Sequence, residues 1–135
     1  MTLVDTSVWV EVFRRGSTFR LESVLDIEEA VTCLPVIQEV LQGFDDEAAF
    51  QTARIAMKAL PIVEMPMHES VFDQAIDLYR RARRAGVTVR SGVDCVIAAC
   101  ALRHALPVLH CDRDFDALAR VSSLESLNIR SVRSR

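Results

Sequence analysis

Acidic residues recur in this chain where an apolar, strand-like run gives way to a helical one. Asp5 closes the run 2–4, Glu39 falls one turn into the helical pattern after 31–34, and Asp94 lies in the first turn of an alanine-rich helical stretch. Asp112 follows the run 108–110, with Asp114 two residues later. In open α/β sheets, ligand sites form outside the carboxyl ends of the strands, where such transitions fall. Carboxylates gathered there would suit chemistry on a hard divalent cation, which prefers oxygen ligands.

Each acid also has a local explanation. Asp5 or Thr6 can cap the helix that follows them, and Asp112 can cap the helix expected at 112–121. Ser91-Gly92-Val93-Asp94 fits a capping box. Asp114 and Asp116 suit the positive end of a helix dipole, and Glu39 can be a solvated helix residue. Glu11, Glu28, Glu29 and Glu47 are further acids available to a site, but only Glu39 sits one turn after a strand-like segment. What favours a shared site is the setting. Asp94 opens the apolar stretch Cys95-Val96-Ile97-Ala98-Ala99-Cys100-Ala101, whose small residues let a helix pack close to a sheet, and Thr6 and Ser7 place hydroxyls beside Asp5.

The elements needed to position these acids follow from hydrophobic period. Short apolar runs alternate with longer helical ones, which predicts an α/β fold: a single domain with a central, mostly parallel sheet flanked by helices. Strands are expected at 2–4, 31–34, 62–64, 108–110 and 128–132. Helices are expected at 7–14, 18–26, 35–41, 46–60, 69–85, 91–104 and 112–121. Pro35 suits a first helical turn, and Gly43 and Gly86 suit helix ends.

Composition narrows the function. The chain has 135 residues, half of them hydrophobic and a quarter charged, which fits one globular domain able to bury a core, with some apolar surface left for a partner. The longest uncharged apolar run, Cys95 to Leu102, is far short of the roughly 18 residues that span a bilayer, and the first residues carry an acid and no basic region. A cytoplasmic protein without a membrane segment is expected. The four cysteines match no zinc spacing and are expected to be reduced, mostly buried thiols. His68, His104 and His110 are expected at the surface or in packing roles.

The net charge is −3, but its distribution matters more than its sum. Arg80, Arg81, Arg83, Arg84 and Arg90 crowd one stretch, and Arg130, Arg133 and Arg135 another, while Lys58 is the only lysine. Arginine suits forked contacts to phosphate, so the first group is a candidate RNA-binding surface; the alternative is a solvated helix end. With the four acids of the candidate site set aside, basic and acidic residues nearly balance.

Four segments together resemble one family. Leu3-Val4-Asp5-Thr6-Ser7-Val8-Trp9, then Glu39, then Val89-Arg90-Ser91-Gly92-Val93-Asp94-Cys95-Val96-Ile97-Ala98-Ala99, then Leu109-His110-Cys111-Asp112-Arg113-Asp114-Phe115 are similar, in order and spacing, to PIN-domain nucleases, and within them to the VapC-like toxins of bacterial toxin–antitoxin pairs. The resemblance covers nearly the whole chain, 1–135. It implies a catalytic acidic pocket of Asp5, Glu39, Asp94 and Asp112 that holds Mg²⁺ or Mn²⁺ through Asp5, Asp94 and Asp112, with Asp114 serving a second metal. Thr6 and Ser7 would support the pocket. It also implies a metal-dependent endoribonuclease acting on a structured RNA such as a tRNA. The protein would form a homodimer and be inhibited by a VapB-like antitoxin in a heterotetramer or larger assembly.

Rival readings lack a required residue. A haloacid-dehalogenase-type phosphatase needs a second acid two positions after the first, where Ser7 stands; a receiver domain needs a lysine after a late strand, and Lys58 lies in a helical stretch. The remaining alternative is a PIN-like module that binds RNA or a partner without cutting, which an incomplete acid set would favour.

Overall fold

The computed structural model describes residues 1–133, with Val132 and Arg133 described in backbone alone; Arg135 and the side chain of Arg133, counted among the arginines above, lie outside the described residues. Five short strands form one sheet: β1 (Thr2–Val4), β2 (Ala30–Cys33), β3 (Ile62–Val63), β4 (Val108–His110) and β5 (Ser126–Asn128), in the order β3-β2-β1-β4-β5. Every pairing is parallel, with Leu3 opposite both Val31 and Val108. The three central strands are buried along their whole length, as expected of a parallel sheet covered on both faces.

The helices are α1 (Thr6–Phe13), α2 (Leu34–Gln42), α3 (Glu47–Lys58), α4 (Glu69–Arg84), α5 (Gly92–Arg103), α6 (Arg113–Arg120) and α7 (Ile129–Arg133). In α4 the buried residues Val71, Ala75, Leu78 and Ala82 recur at helical spacing and define one inner stripe. Gly86, with φ 71°, ends this helix: Val87 N–H reaches back to the Ala82 carbonyl, a left-handed turn that glycine adopts without strain. Helix α5 instead buries most of its circumference, from Asp94 and Cys95 through Ile97–Ala101. Its alanines allow close approach to α4, and removing this much apolar surface from water anchors it in the core.

Two expectations are corrected. Residues 18–26 do not form a helix; single 3₁₀ turns occur at Leu21–Ser23 and Ile27–Glu29. The residues this segment buries, Phe19 and Leu21, are two apart, which a helix cannot place on one face. The last strand lies earlier than 128–132. It is Ser126–Asn128, and Asn128 Oδ1 then accepts from Arg130 N–H, turning the chain into α7. The other predicted elements stand within a few residues of their expected bounds.

The strand order reverses between β1 and β4, where the chain goes one way to β2 and the other to β5. That is the topological switch point at which open α/β sheets form their sites. Asp5 and Asp112 follow the two strands that flank it.

Candidate acidic metal site

Asp5 is the N-cap of α1, immediately after β1. Its backbone N–H bonds the Leu109 carbonyl, fixing it against β4. Its Oδ2 accepts from both the amide and the hydroxyl of Ser7, at 3.0 and 2.6 Å. Ser7 Oγ in turn accepts from Cys111 N–H at 2.9 Å, so one hydroxyl joins the ends of β1 and β4. Asp5 is thus a helix cap, as local sequence allows, yet its other oxygen, Oδ1, is buried with no protein partner.

Asp94 enters from the first turn of α5 and is 6% exposed. Ser91, the residue before α5, makes no side-chain capping bond, so the capping-box explanation of Asp94 does not hold. Asp94 Oδ2 is buried and unpartnered. Asp112 caps α6 through Oδ1, which accepts from Asp114 N–H at 2.9 Å. One ligand-type oxygen from each of Asp94, Asp112 and Asp114 falls within 4.8 Å of the others. Asp5 and Glu39 lie outside that tight group. Glu39 is half-buried on α2, and its Oε1 accepts from Thr6 Oγ1 at 2.8 Å.

The electrostatics reflect this crowding. Burial pushes the Asp94 carboxyl up to about 9, helped first by the charge of Asp5 and then by Asp114 and Asp112. Burial also lifts Asp5 to about 6 against the lowering effect of Ser7, and Glu39 adds repulsion.

Arg90, named among the candidate RNA-binding arginines, lies against the acids with about half of its side chain, 53%, still exposed. Its Nη2 is 3.1 Å from Asp112 Oδ1 and its Nε 3.3 Å from Asp114 Oδ1. Asp114 is 2% exposed, and its Oδ2 also accepts from the Arg90 and Ser91 amides at 3.1 and 3.2 Å. Sequence reasoning missed this clamp because its partners are 22 to 24 residues apart, beyond any local signal. His110 was expected at the surface or in packing and is fully buried, in contact with the ring of Phe115. Burial holds its imidazole below the usual histidine range.

The chemistry of the donors matches a hard divalent cation. Two buried carboxylate oxygens, Asp5 Oδ1 and Asp94 Oδ2, have no hydrogen-bond donor, a costly state unless a proton or a cation satisfies them. No histidine or cysteine ligand joins the cluster among the described residues, and an all-oxygen donor set suits Mg²⁺ or Mn²⁺ rather than zinc or copper.

The PIN domain family model matches residues 2–121. This chain belongs to the PIN domain family. It is 39% identical over 136 residues to VapC ribonuclease Mb1587 of Mycobacterium bovis and, equally, to ribonuclease VapC11 of Mycobacterium tuberculosis; the match covers 96% of this chain and all of each relative. Among solved structures it is similar to VapBC-5 from Mycobacterium tuberculosis, a member of the VapBC family of toxin-antitoxin systems, with TM-score 0.71, 22% identity, and coverage of 94% of this chain and 97% of that one. The acidic cluster of this PIN domain therefore sits in a fold shared with proteins named as ribonucleases.

The other candidate arginines lie on the outer surface of the PIN domain, at the end of α4. Arg81 pairs with Asp77 one turn earlier, and Arg83 stands over the Tyr79 ring. Arg80 and Arg84 are exposed and have no ion-pair partner among the described residues. All four cysteines are free thiols, three of them buried. No helix among the described residues is long and apolar enough to cross a membrane.

Proposed function

We propose that the chain, 1–135 acting as one PIN domain, is a divalent-metal-dependent endoribonuclease and the toxin of a toxin–antitoxin pair. The observation that carries the catalytic reading is the pair of buried, unpartnered oxygens on Asp5 and Asp94 beside Asp112 at the switch point of the sheet. Asp5 Oδ1, Asp94 Oδ2 and the Asp112 carboxylate would hold Mg²⁺ or Mn²⁺. Such an ion, when bound, supplies positive charge against the phosphate and makes a water more acidic. Glu39, with Oε1 committed to Thr6, keeps Oε2 to accept a proton from the attacking water. Ser7 fixes the Asp5 carboxylate, so the lone pairs of Oδ1 are held in place before substrate arrives. Asp114 is already bonded by two amides and Arg90, which favours a supporting part over service to a second metal.

The substrate in this reading is a structured RNA presenting a single-stranded loop, with tRNA the first class to test. Arg80, Arg81, Arg83 and Arg84 would contact phosphates and position it without reading sequence. Phe72, Ile76 and Tyr79 expose large apolar surface along α4 and line a groove of about 290 Å³ against the start of α5; this face suits a homodimer. A second, mostly apolar groove of about 470 Å³, lined by Val10, Phe13, Val40 and Phe44 with Arg14 and Arg15, reaches Glu39 and would seat a segment of a VapB-like antitoxin, in a heterotetramer or larger assembly. The setting is the cytoplasm.

The test is cleavage of total RNA and of a tRNA pool by the purified chain, with Mg²⁺, with Mn²⁺ and with chelator. Metal-dependent cleavage that a co-encoded antitoxin suppresses is expected. RNA binding without cleavage under every metal condition would instead make this a binding module.

A further inference from the structure

His110 ends β4 two residues before Asp112 and is fully buried, so no substrate can reach it. Its bonds nevertheless lead to the site. Asp112 N–H donates to His110 Nδ1 at 3.1 Å. On the other side of the ring, Nε2 lies 2.6 Å from Ser126 Oγ, on the neighbouring strand β5. Ser126 Oγ donates to Asp116 Oδ1 at 2.8 Å, and Asn128 Nδ2 donates to Asp116 Oδ2 at 3.2 Å.

The directions of these bonds are fixed from both ends. A backbone N–H can only donate, so Nδ1 must present a lone pair and the ring proton sits on Nε2. The Nε2 proton is then given to Ser126 Oγ, whose own proton goes to the carboxylate of Asp116, an obligate acceptor when ionised. Every donor in the chain has an acceptor, and the imidazole cannot turn over without breaking two bonds.

We propose that His110 is a positioning residue for Asp112: the Asp116–Ser126–His110 chain holds Nδ1 as a fixed acceptor for the Asp112 amide and so sets where the Asp112 carboxylate lies when the site takes a divalent cation. This rests on the metal reading of the acidic cluster. Groups that orient metal-binding side chains from behind typically change affinity by about 10- to 100-fold when removed.

Two substitutions separate the halves of the ring. His110→Asn keeps an acceptor oxygen where Nδ1 stands, in the side-chain-to-amide turn that asparagine favours, but cannot reach Ser126. His110→Gln keeps a donor nitrogen near Nε2 but loses the acceptor at Nδ1. Mn²⁺ affinity is measured by calorimetry on the full chain, and melting temperature in chelator. The expected result is about a tenfold loss of Mn²⁺ affinity in His110→Gln, and affinity within about twofold of the parent in His110→Asn even where its melting temperature falls further. Affinities that track melting temperature, or that stay unchanged in both variants, would overturn the proposal. A parent chain that binds no Mn²⁺ would instead overturn the metal reading itself. Should the variants not fold, a long-range proton–nitrogen spectrum of the parent decides: a His110 proton on Nε2 is expected, and one on Nδ1 contradicts the arrangement.

Discussion

The Arg90 guanidinium rests on Asp112, Nη2 to Oδ1 at 3.1 Å, so the protein sets a cation of its own against a carboxylate of the acidic cluster. The same side chain bonds Asp114 through Nε. A fixed positive charge here stabilises the crowded acids and competes with any metal that shares them. Arg90→Gln is therefore expected to bind Mn²⁺ a few-fold more tightly than the parent and to melt at a lower temperature in chelator. Calorimetry and melting curves check both; unchanged or weaker Mn²⁺ binding would remove Arg90 from the balance of charge at the site.

The raised carboxyls make the metal-free protein sensitive to pH. Unfolded aspartates titrate near 4, whereas Asp5 in the folded chain titrates at about 6 and Asp94 at about 9. Between these values the folded state holds more protons than the unfolded one, so the slope of stability against pH is negative. The contribution of these groups is fully present below about pH 4 and is lost as pH rises through their folded values, Asp5 first and Asp94 last. In chelator, the melting temperature of the parent is expected to fall from pH 6 to pH 9 more steeply than that of Asp94→Asn. Parallel curves for the two proteins would show that Asp94 does not carry a raised pKa.

Much of this was legible in the sequence, for reasons that differ by residue. Asp5 and Asp112 each follow a short apolar run, and that local transition marks the end of a strand whichever way the sheet is ordered. Asp94 was marked by the alanine-rich stretch after it. What could not be read was convergence, because the order β2-β1-β4 is set by packing of distant segments. The Arg90 clamp on Asp114 and the path from His110 to Asp116 span strands and loops in the same way. The failed helix at 18–26 has a different cause. Its composition permits a helix, but the core takes Phe19 and Leu21 together, and tertiary burial outweighs local propensity.

The arginines at the end of α4 are testable by salt. Replacing Arg80, Arg81, Arg83 and Arg84 with alanine is expected to weaken RNA binding and to lower the slope of log affinity against log salt, by about 0.7 for each phosphate of single-stranded RNA that the variant no longer neutralises. Because Arg81 is paired with Asp77, its single replacement should change the slope less than that of Arg80 or Arg84. A slope unchanged in the fourfold variant would mark this cluster as a solvated helix end.

The exposed apolar face of α4 makes a prediction about assembly. Ile76 is 58% exposed beside Phe72 and Tyr79. Ile76→Asp places a charge in the middle of that face and should convert a dimer to a monomer, seen by sedimentation at micromolar concentration, with little change in the fold of each chain. A parent that is already monomeric, or a variant that remains dimeric, would place the interface elsewhere.

The most direct test of the central claim, that Asp5, Asp94 and Asp112 form one divalent-metal site, is the melting temperature of the parent and of Asp94→Asn titrated with Mn²⁺ from a chelator baseline. A ligand that binds only the folded state raises stability with its concentration over its dissociation constant. The parent should rise steadily with Mn²⁺. Asp94→Asn should start at or above the parent in chelator near neutral pH, because folding no longer has to bury a carboxyl that must take up a proton, and should rise far less. An equal Mn²⁺-induced rise in both proteins would contradict the account.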